Sequence, residues 1–389
     1  MGCTLSFRLK AALSVAVLLA LPARAGEPAP APPVEAAAIP VVMLTDLGSG
    51  QVLLARNPDR RFAPASITKV MTVYTAFGLI RRGDLDLRRS VEVEPATARE
   101  WNGKGTSLYL EGGQRVPVEL LLRAITTVSA NDASVVLASS SAGSVPAWSD
   151  LMNANARALG MTGSRFATPN GWPDKGATYV TARDLTRLAD ALTGQYAVEY
   201  RRFFGQKQLT FNGRTQQNKD PAIGLVSGAD GIKTGHTNEA GFNYLGSAER
   251  QGRRLVMVVG GARSEAERAA ASRALLEWGF SAWRARPLFD LRSVVGSARV
   301  QNGNARHVAL KPQRPVHAVF PGEANGPVLL RIVYRGPLVA PIAKGAQVAE
   351  LEIRSGGLPP GRVPLVAAES VGEAGPLDRL INGLAGLFS

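Results

Sequence analysis

With 389 residues, 45% of them hydrophobic, the chain is too long for one ordinary domain and apolar enough to bury a core in each of two. Its only cysteine is Cys3, which excludes a disulfide framework and a thiolate metal site; His236, His307 and His317 show no ligand spacing, so neither a metal nor another cofactor is expected. The formal net charge of +14 favours anionic surfaces, yet the basic residues are scattered with few aromatics among them, which reads as a solvated basic surface and not as a nucleic-acid site.

Residues 1–25 read as a secretory signal: Arg8 and Lys10 precede an apolar run over 11–21, and Ala23-Arg24-Ala25 is a small-x-small cleavage site. The run is about half of the roughly 20 residues that cross a bilayer, so cleavage is expected in place of anchoring. Residues 26–40, with Pro28, Pro30, Pro32, Pro33 and Pro40 among alanines, read as an extended linker with no core of its own. A β-hairpin follows, with strands over 41–44 and 52–55 around an Asp46-Leu-Gly-Ser-Gly50 turn. Pro64 then precedes Ser66 and a helix-compatible run through Ile80, which puts Ser66 in a helix's first turn.

Further helices are expected over 118–125, 133–141, 148–159 and 181–192, the last opened by Thr181 and Asp184 as helix-start signals. Strands over 231–235, 242–248 and 254–259 precede a helix over 265–278. This predicts an α+β domain over residues 41–285, an antiparallel sheet with helices. Over 286–370 short strands are broken by Gly and Pro, and 349–354 alternates apolar with charged residues, which predicts a small β-sandwich domain. Within 371–389, Leu377, Leu380, Ile381, Leu384, Leu387 and Phe388 share one helical face opposite Asp378, Arg379 and Asn382. Such an amphipathic helix is too short to span a membrane and is expected to lie on its surface.

Three strings carry chemistry: Ser66-Ile-Thr-Lys69, Ser129-Ala-Asn131 and Lys233-Thr-Gly235. A lone Ser-x-x-Lys arises about once by chance in a chain this long, and an ordinary capping serine explains it. On a helix, however, positions i and i+3 share a face, so the Lys69 amine points towards the Ser66 hydroxyl, and the helix start offers free N–H groups to an oxyanion. For Lys69 to act as base its pKa must fall from about 10.4 towards 7 or 8, through burial or a nearby cation such as Lys233. Ser129 can pass a proton to a leaving amine and Asn131 can bind a substrate amide. Lys233 and Thr234 can hold a carboxylate, and Gly235 lets a ligand backbone approach. The three together, in this order and on fitting elements, point to acyl transfer.

Pro64-Ala-Ser-Ile-Thr-Lys69, Ser129-Ala-Asn-Asp132, Thr168-Pro-Asn-Gly171, Asn212-Gly-Arg-Thr-Gln-Gln-Asn218 and Asp230-Gly-Ile-Lys-Thr-Gly-His-Thr237 resemble the signatures of the serine D-alanyl-D-alanine carboxypeptidases, the low-molecular-mass penicillin-binding proteins. The β-rich region and terminal amphipathic helix also match that family's layout. The resemblance implies a penicillin-binding/β-lactamase-like transpeptidase domain that removes the terminal D-alanine from peptidoglycan pentapeptide stems, limiting cross-linking, and is acylated by β-lactams. Ser66 would be the nucleophile, Lys69 its base and Ser129 a proton relay. Asn131 would orient the acyl part and Lys233 with Thr234 bind the terminal carboxylate, while backbone N–H groups of Ser66 and His236 form the oxyanion hole. Lys219 stands where relatives often carry arginine, keeping the charge without the bidentate fork. Class A β-lactamases share the motif set but use a glutamate for deacylation, and no glutamate lies between Asn131 and Glu199, so efficient β-lactam hydrolysis is not expected. The family places the protein in the periplasm, attached to the outer face of the cytoplasmic membrane through the terminal helix. A DD-endopeptidase acting on cross-links, or a catalytically silent wall-binding protein, are the alternatives.

Overall fold

The computed structural model describes residues 29–375. The expected secretory signal and all of the expected terminal helix beyond residue 375 lie outside the described residues. Among the described residues no helix is long and apolar enough to cross a membrane.

The hairpin forms as β1 (Val41–Asp46) and β2 (Gln51–Arg56), and α1 (Thr68–Arg82) follows a short 3-10 turn. A helical region comes next: β3 (Ser90–Glu92), α2 (Pro95–Trp101), β4 (Arg115–Pro117), α3 (Val118–Thr127), α4 (Asn131–Ala142), α5 (Val145–Ala158), α6 (Ala182–Gln195) and α7 (Ala197–Phe203). After a small hairpin, β5 (Gln208–Phe211) and β6 (Arg214–Gln217), the chain returns as β7 (Ala229–Thr237), β8 (Gly241–Arg250) and β9 (Arg253–Ala262), then α8 (Glu265–Ser281). The main sheet is antiparallel in the order β2-β1-β9-β8-β7, which leaves β7 at its edge.

Both faces of this sheet are covered. Along β1 and β9, Val41, Met43, Val256 and Val258 enter a core shared with α1 and the helical region, while Val42, Leu44, Leu255, Met257 and Val259 enter a second core beneath α8. Period-two alternation therefore feeds two cores, and these strands read as continuous apolar runs. Helix starts follow local capping: Thr181 Oγ1 accepts from Asp184 N at 3.1 Å, and Ser264 Oγ from Glu267 N at 3.0 Å. Gly83, left-handed at φ 81°, closes α1.

The second domain comprises β10 (Trp283–Phe289), β11 (Gly296–Gln301), β12 (His307–Pro312), β13 (Val316–Pro321), β14 (Leu329–Val333), β15 (Leu338–Val339), β16 (Gln347–Arg354) and β17 (Gly361–Ala367). β10 pairs with β13, and the others form a six-stranded sheet in the order β14-β16-β17-β12-β11-β15 around Leu310, Leu351, Ile353 and Leu365.

Two segments differ from the sequence expectation. The end of the proline-rich stretch is not an extended linker: Val34–Ala36 form a 3-10 turn, Ala36 and Ile39 are buried against α8, and the Arg56 guanidinium donates to the carbonyls of Ala36, Ala37 and Ile39. Apolar Ala36 and Ile39 find a core only once α8 is in place, which composition does not reveal. Residues 371–374, read with the terminal helix, instead bridge to the β domain: Val371 N donates to Ile342 O at 2.9 Å and Ala374 N to Asn302 O at 2.8 Å. Val371 and Ala374 are buried there, and the helical pattern begins only after Pro376.

The domains meet through a buried polar cluster. Asp46, the last residue of β1, accepts from His317 Nε2 at 2.6 Å and from Arg253 Nε at 2.7 Å, while Arg253 Nη1 donates to Trp283 O at 2.7 Å. Beside it Gln51 Nε2 donates to Ser355 O at 3.1 Å, and Ser355 Oγ donates to Gln51 Oε1 at 2.8 Å.

Candidate active site

Ser66 lies in the 3-10 turn Ala65–Ile67 that runs directly into α1, so the helix start presents Ser66 and Lys69 on one side. Two glycines let neighbouring segments press against this turn. A Cβ on Gly171, itself left-handed at φ 71°, would sit 1.9 Å from Ala65 O, and one on Gly235 would sit 2.3 Å from Pro64 O. Both lengths are far inside van der Waals contact, so these positions accept no side chain without displacing the turn.

Lys69 is fully buried, and its Nζ lies 2.8 Å from Ser66 Oγ, 2.8 Å from Asn131 Oδ1 and 2.6 Å from Asn170 O. The two carbonyl oxygens can only accept. A neutral amine that gives its two N–H bonds to them turns its lone pair to the Ser66 hydroxyl. Burial, and after it the Lys233 charge, push Lys69 well below the usual lysine range, against a smaller opposing pull from Asp132.

Asn131 opens α4 and is held at both ends of its amide, since Nδ2 also donates to Lys104 O at 2.9 Å. Its backbone N–H donates to Thr106 O at 2.8 Å. The next residue, buried Asp132, takes hydrogen bonds from Ser107 Oγ, Leu108 N and Leu110 N and so fastens the 104–110 loop along the site. Ser129 precedes α4 in a left-handed conformation at φ 65°, and its hydroxyl has no hydrogen-bond partner among the described residues.

The opposite wall is the sheet edge. Lys233 is buried with Nζ donating to Thr234 O at 3.1 Å; burial brings its pKa to about 7, with Arg268 and Lys219 adding repulsion and Asp220 opposing it. His236 stacks on Phe242 at 3.9 Å between centroids, leaving its ring exposed. Ser66, Ser129, Asn131, Lys219, Lys233, Thr234, Gly235 and His236 all line one open cleft of about 710 Å³. Lys69 lies behind it, reached through Ser66. Every residue singled out by sequence is thus gathered at one place.

Four further residues belong to the site. Asn170 supplies a carbonyl to Lys69 and Gly171 the room for the Ser66 turn; both stand in the Thr168–Gly171 string, and only packing reveals these contacts. Trp172 lines the cleft and meets Trp101 edge-on at 5.6 Å, with Lys104 Nζ 4.3 Å from the Trp101 ring centre. Arg268, near the start of α8, is buried against the cleft, pairs with Glu265 at 2.9 Å and keeps Nε without a partner among the described residues. Nothing in its local sequence sets it apart from the other arginines. Among the described residues no group of three or more His, Cys, Asp or Glu side chains converges as metal ligands would.

The D-alanyl-D-alanine carboxypeptidase family profile matches residues 27–264, and the C-terminal domain profile of penicillin-binding protein 5 matches residues 283–373. The chain belongs to this carboxypeptidase family. It is 35% identical over 370 residues to D-alanyl-D-alanine carboxypeptidase DacD of Salmonella typhimurium, covering 93% of each chain. It is 32% identical over 351 residues to DacA of Escherichia coli K12, covering 89% of this chain and 87% of that one. The crystal structure of penicillin-binding protein 5 from Haemophilus influenzae superposes with a TM-score of 0.69 at 29% identity, over 86% of this chain and 98% of that one. Carboxypeptidase-family membership and the two-domain architecture therefore agree with the site's geometry.

Proposed function

We infer that the protein is a serine-type D-alanyl-D-alanine carboxypeptidase that trims pentapeptide stems of peptidoglycan. The observation that carries this is the buried Lys69 amine 2.8 Å from Ser66 Oγ, its other contacts all to carbonyl oxygens. Ser66 Oγ attacks the carbonyl between the two D-alanines as its proton passes to Lys69. Backbone N–H groups of Ser66 and His236 take the developing oxyanion, a term worth about 10²–10³ in rate per donor. Collapse breaks the peptide bond, and the leaving amine receives the proton through Ser129. Water then attacks the ester and gives a proton to Lys69, which passes it to Ser66 Oγ as the acyl–oxygen bond breaks, restoring the serine hydroxyl and the neutral amine.

The terminal carboxylate rests on Lys233, Thr234 and Arg268, whose planar fork supplies the geometry that Lys219 lacks. Lys219 is exposed at the rim and acts there as a mobile charge. An incoming carboxylate also stabilises the charged form of Lys233, so binding and protonation are linked. β-Lactams acylate Ser66 by the same attack, and the segment between Asn131 and Glu199 offers no glutamate to speed deacylation.

Labelled penicillin tests the reading. Covalent label on the intact protein and none on Ser66→Ala is the expected outcome; an unlabelled intact protein would point to a silent wall-binding protein instead. Release of D-alanine from a pentapeptide, faster than cleavage of a cross-linked dimer, separates carboxypeptidase from endopeptidase. The signal-like residues 1–25 and the amphipathic pattern after Pro376 support export and attachment at a membrane surface. Fractionation of a chain ending at Gly375 tests the attachment, which should be lost.

A further inference from the structure

A second cleft, of about 760 Å³, adjoins the catalytic one and shares His236, Thr237 and Phe242 with it. Its lining carries Arg60, Arg61 and Arg263 against a single acid, Glu239. Arg263 is paired with Glu267, but Arg60 and Arg61 are exposed and have no carboxylate partner among the described residues. Arg61 is nonetheless held in place. Phe62 is bridged to Val180 by two backbone hydrogen bonds of 2.9 and 3.0 Å, and the Arg61 guanidinium lies 4.6 Å from the Tyr179 ring centre. Gly260 and Gly261 contribute no side chains to the lining; a Cβ on Gly260 would already meet Val41 at 3.1 Å.

The direction of β7 says what would enter this cleft. Lys233 and Thr234 mark the carboxylate end and His236 the oxyanion, so an extended chain laid along this free edge runs its acyl half past Thr237 into the second cleft. At about 3.3 Å per residue, the four steps from Lys233 to Thr237 cover about 13 Å. The second or third residue upstream of the scissile bond therefore arrives beside the two unpaired arginines.

We propose that this second cleft is a subsite for the acyl half of the peptide, selecting chains with free carboxylates two or three residues before the scissile bond, which Arg60 and Arg61 bind. The proposal rests on the carboxypeptidase reading above. Its test uses two pentapeptides ending in D-Ala-D-Ala, one with free carboxylates on its second and third residues and one with both amidated. The acidic donor should show a kcat/KM about tenfold higher, carried by KM and shrinking as salt rises. In Arg60→Gln/Arg61→Gln that ratio should fall to near one, and Arg61→Lys should retain part of it. Because the ratio is taken within each variant, loss of folded protein cancels. Equal use of both donors by the intact protein, or a ratio that survives the double substitution, overturns the subsite and leaves the carboxypeptidase reading intact. D-Alanine released from neither donor, with Ser66 still open to penicillin, overturns the carboxypeptidase reading and the subsite with it.

Discussion

At the scale of single residues the chemistry turns on where two lysines keep their protons. Lys69 works as a base only when neutral, so acylation rises as the pH climbs through its pKa. Burial and then the Lys233 charge lower that pKa. Replacing Lys233 by glutamine removes the second influence, raises the Lys69 pKa and should move the acid limb of the penicillin acylation rate to higher pH. A stationary limb would show that the two amines are uncoupled. Arg268 yields a different expectation, because it lines the cleft, where the proposed mechanism has it hold the substrate carboxylate, and makes no hydrogen bond to Lys69. Arg268→Ala should raise KM for D-Ala-D-Ala peptides about 10- to 100-fold, the worth of a hydrogen bond between charged partners, while kcat changes little. The serines, lysines and asparagine were legible because their strings are short and local. Arg268 was not, since what distinguishes it is burial beside a strand distant in the chain.

At the scale of elements, Ser66 sits in a turn pressed by the loop that carries Gly171 and by β7 at Gly235. Gly171 and Gly235 approach it where no Cβ fits, the first in a left-handed conformation as well. Gly171→Ala should therefore destabilise the protein by about 2 kcal/mol or more and cut acylation even where the protein folds, read from chemical denaturation and penicillin labelling. Unchanged stability would mean the turn yields more easily than the packing suggests. The hairpin, α1, α3 to α6, β7 to β9 and α8 all follow from apolar spacing and start signals in the chain. Short pieces such as β3, β4, α2 and α7 carry too few residues for a period to show, and form because the neighbouring helices hold them.

The whole molecule is tied together by Asp46, Arg253 and His317, from three separate elements. Burial alone would raise the Asp46 carboxyl, but the His317 ring and the Arg253 guanidinium more than reverse this and hold it far below the usual carboxylate range. A group depressed in this way contributes stability above its unfolded value of about 4 and loses it only as the pH falls through the lower folded value. Asp46→Asn should cost about 3 kcal/mol in urea unfolding at pH 7, with the gap to the unaltered protein narrowing below about pH 4. A gap independent of pH would assign the effect to shape instead of charge. Since β1 leads from this cluster into the sheet whose far edge is β7, the β domain braces the same sheet that carries the catalytic cleft.

Order and spacing along the chain pointed to a serine-type peptidase, with Ser66 and Lys69 as the proposed nucleophile and base, and to an α+β domain followed by a β domain, because those features depend on residues within a few positions of one another. Tertiary structure alone decided the burial that lowers Lys69, the placing of Arg268 beside the cleft, the core positions of Ala36 and Ile39, and the second cleft that gathers Arg60 and Arg61. Each of these is a property of segments far apart in sequence, and desolvation and close packing exist only once the fold has brought them together.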